Sequence, residues 1–291
     1  MDHAEQAREG VARAPVEQGP LAGAAPGAAS PLRRFYLTYE RGLLGFASVA
    51  AVLLVWEWVA AKGLVGLVFI SSPTRIAKAA VEWAASGELW NDLKVSGIEF
   101  GVGYAMSVGV GIPLGIATGW YRRLFYVLDP FISAFYATPR VALLPLIFIW
   151  VGIGIWSKIV LVFLGAVFPV LLNTLAAVRT TDERLLRAAR SFGAGDLQVF
   201  RTVVLPGSVP FILTGLRLGV GRALVGVVVG EMVVATAGIG LRISMAGNNF
   251  QTDTVFVGIL IIAAAGMLSM EALTRLERRY EKWRPRVGAA A

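Results

Sequence analysis

Two groups of residues carry what chemistry this sequence has. The first is the charged stretch Glu183 to Asp196, set between two long apolar runs. Its charge density forbids a place in hydrocarbon, where each Arg near a span's centre costs ~2.5–3.5 kcal/mol on insertion scales. Leu185, Ala189 and Phe192 recur at helical spacing and make one apolar stripe on a short helix. Gly193 then sits where a helix end takes a left-handed turn. Asp196 is placed to cap a second short helix through Leu197 to about Val203, which Leu205-Pro206 ends before Pro210 opens the next apolar run. The spacing predicts a helix–glycine–helix elbow lying on a membrane surface. Such an amphipathic helix either rests on lipid headgroups or docks in the groove of a partner.

The second group comprises ionisable residues inside apolar runs: Arg140, Arg217, Arg222 and Glu231. Charges in such places are costly and are either paired or functional. Arg222 and Glu231 are too far apart on one straight helix to pair, so each is expected to find a partner on another helix. Glu231 fits a structural pair or the lining of a pathway. Arg140 lies between Pro139 and Pro145, where an interrupted helix exposes backbone and charge to a cavity; snorkelling to the interface is the alternative. Thr138, Trp150 and Asn173 are weaker pathway candidates, since polar side chains also join helices. Glu57 reads as an interfacial residue.

Much other chemistry is excluded. The chain has no Cys, and its one His is His3, in a polar tail, so thiol chemistry, disulfides and imidazole catalysis or metal binding have no residues to use. None of Lys62, Lys78, Lys94, Lys158 and Lys282 sits in a phosphate-cradling Gly-x-x-x-x-Gly-Lys-Ser/Thr loop. The net charge of +8 does not argue for nucleic acid, because the basic residues flank apolar runs instead of forming one soluble face.

The elements that must position these groups are membrane helices. Of the 291 residues, 56% are hydrophobic and only 16% charged, and mean hydropathy is +0.68. A span needs ~20 apolar residues, and six are predicted: 42–61, 97–120, 130–151, 158–178, 209–234 and 254–273. Arg33, Arg34 and Arg41 precede the first. Arg122 and Arg123 follow the second, a cluster from Arg179 to Arg201 the fourth, and Arg275, Arg278, Arg279, Lys282, Arg284 and Arg286 the sixth. The positive-inside bias then places both termini in the cytoplasm. Residues 62–95 fall outside, with Ser71-Ser72-Pro73-Thr74 as a turn and helix start and an amphipathic stretch from Ile76 to Trp83. Residues 152–157 and 238–253 are expected to be short polar links. The expected organisation is a disordered tail over 1–31, a six-helix domain over 32–286 with a loop at 179–206, and a tail over 287–291. Glycines at four-residue spacing (Gly97/Gly101, Gly111/Gly115/Gly119, Gly215/Gly219, Gly226/Gly230) permit close helix approach, within one bundle or, for some pairs, at a dimer seam.

The elbow also resembles the cytoplasmic EAA loop of binding-protein-dependent ABC importer permeases. That pattern reads Glu-Ala-Ala, three residues, Gly, nine residues, Ile, one residue, Leu-Pro. Here Arg187-Ala188-Ala189, Gly193, Val203 and Leu205-Pro206 keep every spacing, with Arg187 in place of Glu and Val203 in place of Ile. The resemblance runs from about Ser72 to Arg284. It is nearest to the sulfonate, taurine and nitrate branch in Ser72-Pro73, Asp129-Pro130, Thr138-Pro139-Arg140, Pro145-Leu146, Gly152-Ile153-Gly154, Ser157-Lys158, Gly215-Leu216-Arg217 and Gly230-Glu231-Met232.

The resemblance implies an all-α, type I importer-like permease in the bacterial cytoplasmic (inner) membrane, not itself an enzyme. It implies a homodimer above two ATPase subunits, which bind the ATP and Mg, with a substrate-binding protein outside and a small, anionic solute as cargo. Leu185, Arg187, Ala188, Ala189, Phe192, Gly193, Ala194, Asp196, Leu205 and Pro206 would form the coupling segment that docks on the ATPase. The family's Glu contact does not transfer to Arg187, whose charge is reversed. Two other classes fit the composition, an ion-driven secondary transporter and a non-transporting membrane scaffold.

Overall fold

The computed structural model describes residues 31–280. The expected tails over 1–31 and 287–291, with Lys282, Arg284 and Arg286, lie outside them apart from Pro31, which opens the first helix. Every regular element among the described residues is helical: α1 (Pro31–Ala61), α2 (Leu67–Ile70), α3 (Pro73–Ala85), α4 (Glu88–Trp120), α5 (Arg122–Ala137), α6 (Leu144–Val151), α7 (Ile155–Arg179), α8 (Glu183–Ser191), α9 (Asp196–Val199), α10 (Leu205–Val233), α11 (Ile239–Asn248) and α12 (Thr252–Tyr280). The described residues up to Val55 belong to one unit and those from Trp56 to a second, so the division falls inside α1. Among the described residues five helices are long and apolar enough to span a membrane, and α5 with α6 makes a sixth if the bent pair is counted as one.

In the second unit α7 is the central element, with 16 of its 25 residues buried. It lies between two helices that present glycine to it. On α4, added Cβ atoms at Gly103, Gly111, Gly115 and Gly119 would meet Val162, Val170, Thr174 and Val178, so α4 and α7 run parallel in fixed register. On α10, Gly215, Gly219, Gly226 and Gly230 meet Asn173, Val170, Val162 and Lys158, so α10 runs antiparallel. Gly97 and Gly101, by contrast, have nothing within 4 Å. Because α4 and α7 run the same way, the chain between them has to come back across. The pair α5–α6 makes that return.

That return is broken inside the expected span over 130–151, near Pro139 and Pro145, where the sequence allows an interrupted helix. The two arms, Arg122–Ala137 and Arg140–Val151, bend by 95° at residues 138–139. Thr138 precedes Pro139, which disfavours helical backbone at Thr138; its ψ is 127°, and Arg140–Leu143 forms a 3-10 turn before Pro145 restarts the helix.

Two expectations are corrected and a third is extended. Residues 238–253 are not a polar link but contain α11, whose Ile239 is buried with Ile76, Trp83 and Val257. The helix that carries the second span starts before 97, at Glu88, and its added turns carry the buried Asp92. Leu205-Pro206 does not end a helix. A wide π turn at Phe200–Val204 carries the chain from α9 into α10. Proline lacks an N–H and its ring collides with the carbonyl four residues back; the wide turn lies where Pro206 would otherwise break the ladder.

The start of α3 matches expectation. Ser72 is extended, its Oγ accepts from Arg75 N at 3.4 Å, and Pro73 occupies the first turn.

A side chain at Gly115 would place its Cβ 2.6 Å from Thr174 Cβ and 2.7 Å from the Leu171 carbonyl. Gly115→Val is therefore expected to cost about 1–3 kcal/mol by overpacking, read as a lower melting temperature in detergent. Gly97→Ala on the same helix should leave that temperature unchanged.

Candidate functional site

The polar residues gather in three places. At the start of α4 and α7 and the end of α10, opposite the elbow, is a buried network. Asp92, Ser96 and Glu99 share one face of α4 by helical spacing. Asp92 accepts from Gly238 N (2.8 Å) and Trp83 Nε1 (3.3 Å), and Arg242 Nε is 3.7 Å from it. Ser96 Oγ donates to Glu231 Oε1 (2.6 Å) and accepts from Ile239 N (3.0 Å), while Gly240 N donates to Glu231 Oε2 (2.6 Å). Lys158 Nζ stands 2.5 Å from Glu99 Oε1, with both side chains almost wholly buried.

Glu231 is thus fully buried, and its partners lie on other helices as expected, Ser96 on α4 and the backbone of α11, with no cation among them. The N-terminal N–H groups of α11 supply the positive end that a carboxylate requires. Glu231 ties that helix end to α10, as Asp92 does to α4. Nearby, Ser71 and Arg75 hold Asp253 at 2.5 and 2.8 Å, and Glu57 accepts from Thr74 N and Oγ1 at 3.0 and 2.7 Å. Glu57 therefore anchors the start of α3.

The second place is the break between α5 and α6. There a hollow of about 440 Å³ is lined by Thr138, Arg140 and Arg222 among others, with Leu161, Val225 and Val229 as an apolar wall. Arg140 Nε is buried and has no hydrogen-bond partner. Neither Arg140 nor Arg222 makes an ion pair among the described residues, so Arg222 lacks the partner that its position in the sequence predicts. Gly165 of α7 lies against the Arg222 carbonyl, where an added Cβ would stand 2.9 Å away, so α10 approaches closely at this level.

The other pathway candidates lie elsewhere. Arg217 pairs with Glu277 and donates to Thr274 Oγ1 (3.3 Å), both on α12. Trp150 is 74% exposed and does not line the hollow. Asn173 Nδ2 donates to the Pro169 carbonyl (2.8 Å), and its Cβ faces Gly215 in the α7–α10 packing. Only Thr138, Arg140 and Arg222 of that set come together. The residues missed are Asp92, Ser96, Glu99 and Lys158. Glu99 stood inside an expected span and carried the same signal as Glu231.

The third place is the elbow. Asp182 caps α8, its Oδ1 accepting from Arg184 N at 2.8 Å. Gly193 has φ +77°, and Gly193 N and Ala194 N donate to the carbonyls of Arg190 and Ala189 (2.9 and 3.1 Å), a Schellman closure. Asp196 is not the cap expected of it. Gly195 precedes the helix, and Asp196 opens it while accepting from Arg190 at 3.3 Å. The stripe divides: Ala189 and Ala194, with Leu186, pack on Val178, Val199 and Val204, whereas Leu185 and Phe192 face outward. Phe192 is 92% exposed. Arg187 and Ala188 are exposed beside it, and Leu205 and Pro206 begin α10.

Comparison with known proteins gives consistent matches. Residues 111–282 match the family described as "Binding-protein-dependent transport system inner membrane component". The chain is 35% identical over 240 residues to the "Putative aliphatic sulfonates transport permease protein SsuC" of Bacillus subtilis (strain 168), covering 82% of this chain and 87% of that protein. It is 36% identical over 245 residues to the "Taurine transport system permease protein TauC" of Escherichia coli (strain K12), covering 82% and 89%. Its fold is similar to that of a chain in an inward-facing structure of the MetNI methionine ABC transporter, with TM-score 0.54 and 21% identity over 68% of this chain and 96% of that one.

Removing one partner of a buried ion pair leaves an uncompensated charge, at about 3–5 kcal/mol. Lys158→Met is therefore expected to destabilise strongly, and Lys158→Met with Glu99→Leu to recover most of the loss. A double-mutant cycle of melting temperatures in detergent checks this.

Proposed function

The chain belongs to the family of binding-protein-dependent transport system inner membrane components, and on that footing we propose that it is coupled to a separate ATPase through the elbow at residues 183–206. It is the permease subunit of an ABC importer and spans the membrane several times. In the proposed assembly two copies form a homodimer in the bacterial cytoplasmic membrane, with both termini and the elbow in the cytoplasm, two ATPases beneath and a substrate-binding protein outside. The basic clusters after the even crossings support that orientation. ATP and Mg are bound by the ATPase. The cargo is a small solute with an anionic head, of the sulfonate, taurine or nitrate kind, a reading supported by the relatives' names and by Arg140 and Arg222 at one hollow.

The observation that carries the coupling assignment is the exposed elbow. A large aromatic side chain, Phe192, stands 92% exposed on a helix closed by a left-handed glycine and fixed to the bundle by Leu186, Ala189 and Ala194. An apolar anchor on a rigid helix is what a groove in a partner can seize. The mechanism is alternating access. ATP binding closes the paired ATPases and draws the two elbows together, the bundle opens outward to the loaded binding protein, and hydrolysis resets it. Leu185, Arg187, Ala188 and Phe192 form the contact face. Ala189, Gly193 and Ala194 hold its shape, and Asp196, Leu205 and Pro206 lead into α10.

Gly193→Asp should leave abundance in the membrane near normal, because a Cβ at this position meets nothing within 4 Å. It strains the left-handed turn by about 1–3 kcal/mol and should abolish uptake and reduce co-purification of the ATPase in mild detergent. Gly193→Asn, which tolerates that turn, should retain most of both. Normal uptake by Gly193→Asp at normal abundance overturns the assignment. Failure of any ATPase to co-purify with the intact wild-type chain overturns it too.

A further inference from the structure

We infer that the hollow at the α5–α6 break is a selective site for small organic monoanions that carry an apolar tail, and that it discriminates against zwitterions of similar size. This rests on the importer reading above and narrows its cargo. Two guanidinium groups, Arg140 and Arg222, share the hollow, and none of the described residues lining it is acidic. Elsewhere in the second unit three cations on the bundle helices have carboxylates: Lys158 has Glu99, Arg217 has Glu277, Arg242 has Glu88 and Asp92. At the hollow two cations stand together without one, and Arg140 Nε has no hydrogen-bond partner. Like charges held in one partly dry space repel, and an anion between them relieves that repulsion while filling donors that have no protein acceptor.

The remaining wall selects the group attached to the anionic head. Leu161, Val225 and Val229 are apolar, and about 440 Å³ falls in the range of small-molecule sites, roughly 300–1,000 Å³. Nitrate has no group to place against that wall. A short alkyl sulfonate has both parts, with its oxygens on the guanidinium groups and its chain on the valines. A zwitterion such as taurine brings an ammonium into a space already holding two cations. No lining carboxylate receives it.

The chain contains no Cys, so Val225→Cys, at a half-exposed position of the wall, gives it a single thiol inside the hollow. The purified complex with its ATPase is treated with 2-sulfonatoethyl methanethiosulfonate or with its 2-trimethylammonioethyl counterpart. Modification is followed as the mass gain of this chain, with rates normalised to a small free thiol. The anionic reagent should be favoured about tenfold, the lower end of what a cleft of one charge sign achieves. That preference should vanish in Arg140→Gln and Arg222→Gln and persist in Arg140→Lys and Arg222→Lys. Butanesulfonate should slow the labelling, and taurine at equal concentration should not. A free-thiol ratio, or equal protection by taurine, overturns the inference and leaves the importer reading standing. If neither reagent reaches Val225→Cys while Ser86→Cys, exposed at the end of α3, reacts, the hollow is closed to water and its place on a pathway falls as well.

Discussion

Hydrocarbon exerts no pressure that drives apolar helices together, so a bundle in lipid holds only where backbones come close enough for dispersion and polar contacts to act. In this chain that condition is met on both sides of α7. Gly103, Gly111, Gly115 and Gly119 each face a residue of α7 59 positions further along, and so does Glu99, which faces Lys158. The ion pair is therefore one more step of the same parallel register. Sliding α4 by one residue along α7 would remove the glycines from their contacts and strip Glu99 of its cation at once. Close packing and charge pairing specify the same alignment, and each makes an error in the other more costly.

The same constraint explains why the polar groups fall into two kinds. In the network of Asp92, Ser96, Glu99, Lys158 and Glu231, almost every group meets a partner from another segment, and little surface remains exposed. That is the signature of a joint. It accounts for Glu231 without a proton or ion to be carried, which removes the one residue that favoured an ion-driven transporter. The hollow is built the opposite way. Gly165 and Gly226 bring α10 near α7 at its floor, Thr138-Pro139 interrupts its roof, and two cations remain unneutralised. Two cations at one hollow with no acidic residue among its described lining point to a ligand more strongly than the charge of either alone does.

How much of this can be read from the sequence depends on the range of the interaction. Local signals are legible: the Ser72-Pro73 helix start, the left-handed Gly193, the apolar lengths of the spans and the interruption near Pro139. The elbow is recognisable because its spacing is contiguous. The sequence does not say which ionisable residues meet. Arg217 and Arg222 look alike in it, five positions apart on one helix, yet one faces Glu277 and the other faces the hollow. That difference is a rotation about the α10 axis, fixed by which glycines touch α7. Lys158 is likewise hidden, because a Lys at the start of a span reads as interfacial until Glu99 is placed against it. The continuation of α9 into α10 escapes notice for a local reason. Pro206 is a helix breaker by rule, and a π turn that absorbs it leaves no mark in composition.

That continuation matters most for how the parts can act together. From Asp196 to Val233 the chain is one helical path of 38 residues, about 57 Å long at 1.5 Å per residue. One end leaves the elbow, Arg222 of the hollow lies along it, and Glu231 near its other end grips the start of α11. On the importer reading, a displacement imposed at the elbow therefore reaches the hollow and the far-end joint through a single element, with no flexible loop to dissipate it. The π turn at Phe200–Val204 departs from α geometry within that path, and such turns are where helices kink. It lies on the elbow side of the glycine contacts with α7. Bending there reorients the elbow, whereas beyond it α10 is held to α7 at Gly215, Gly219, Gly226 and Gly230 and can only move with it. The helix pair, more than either helix alone, is then the unit that an ATPase stroke must tilt, and the hollow on its flank opens or closes against the broken span.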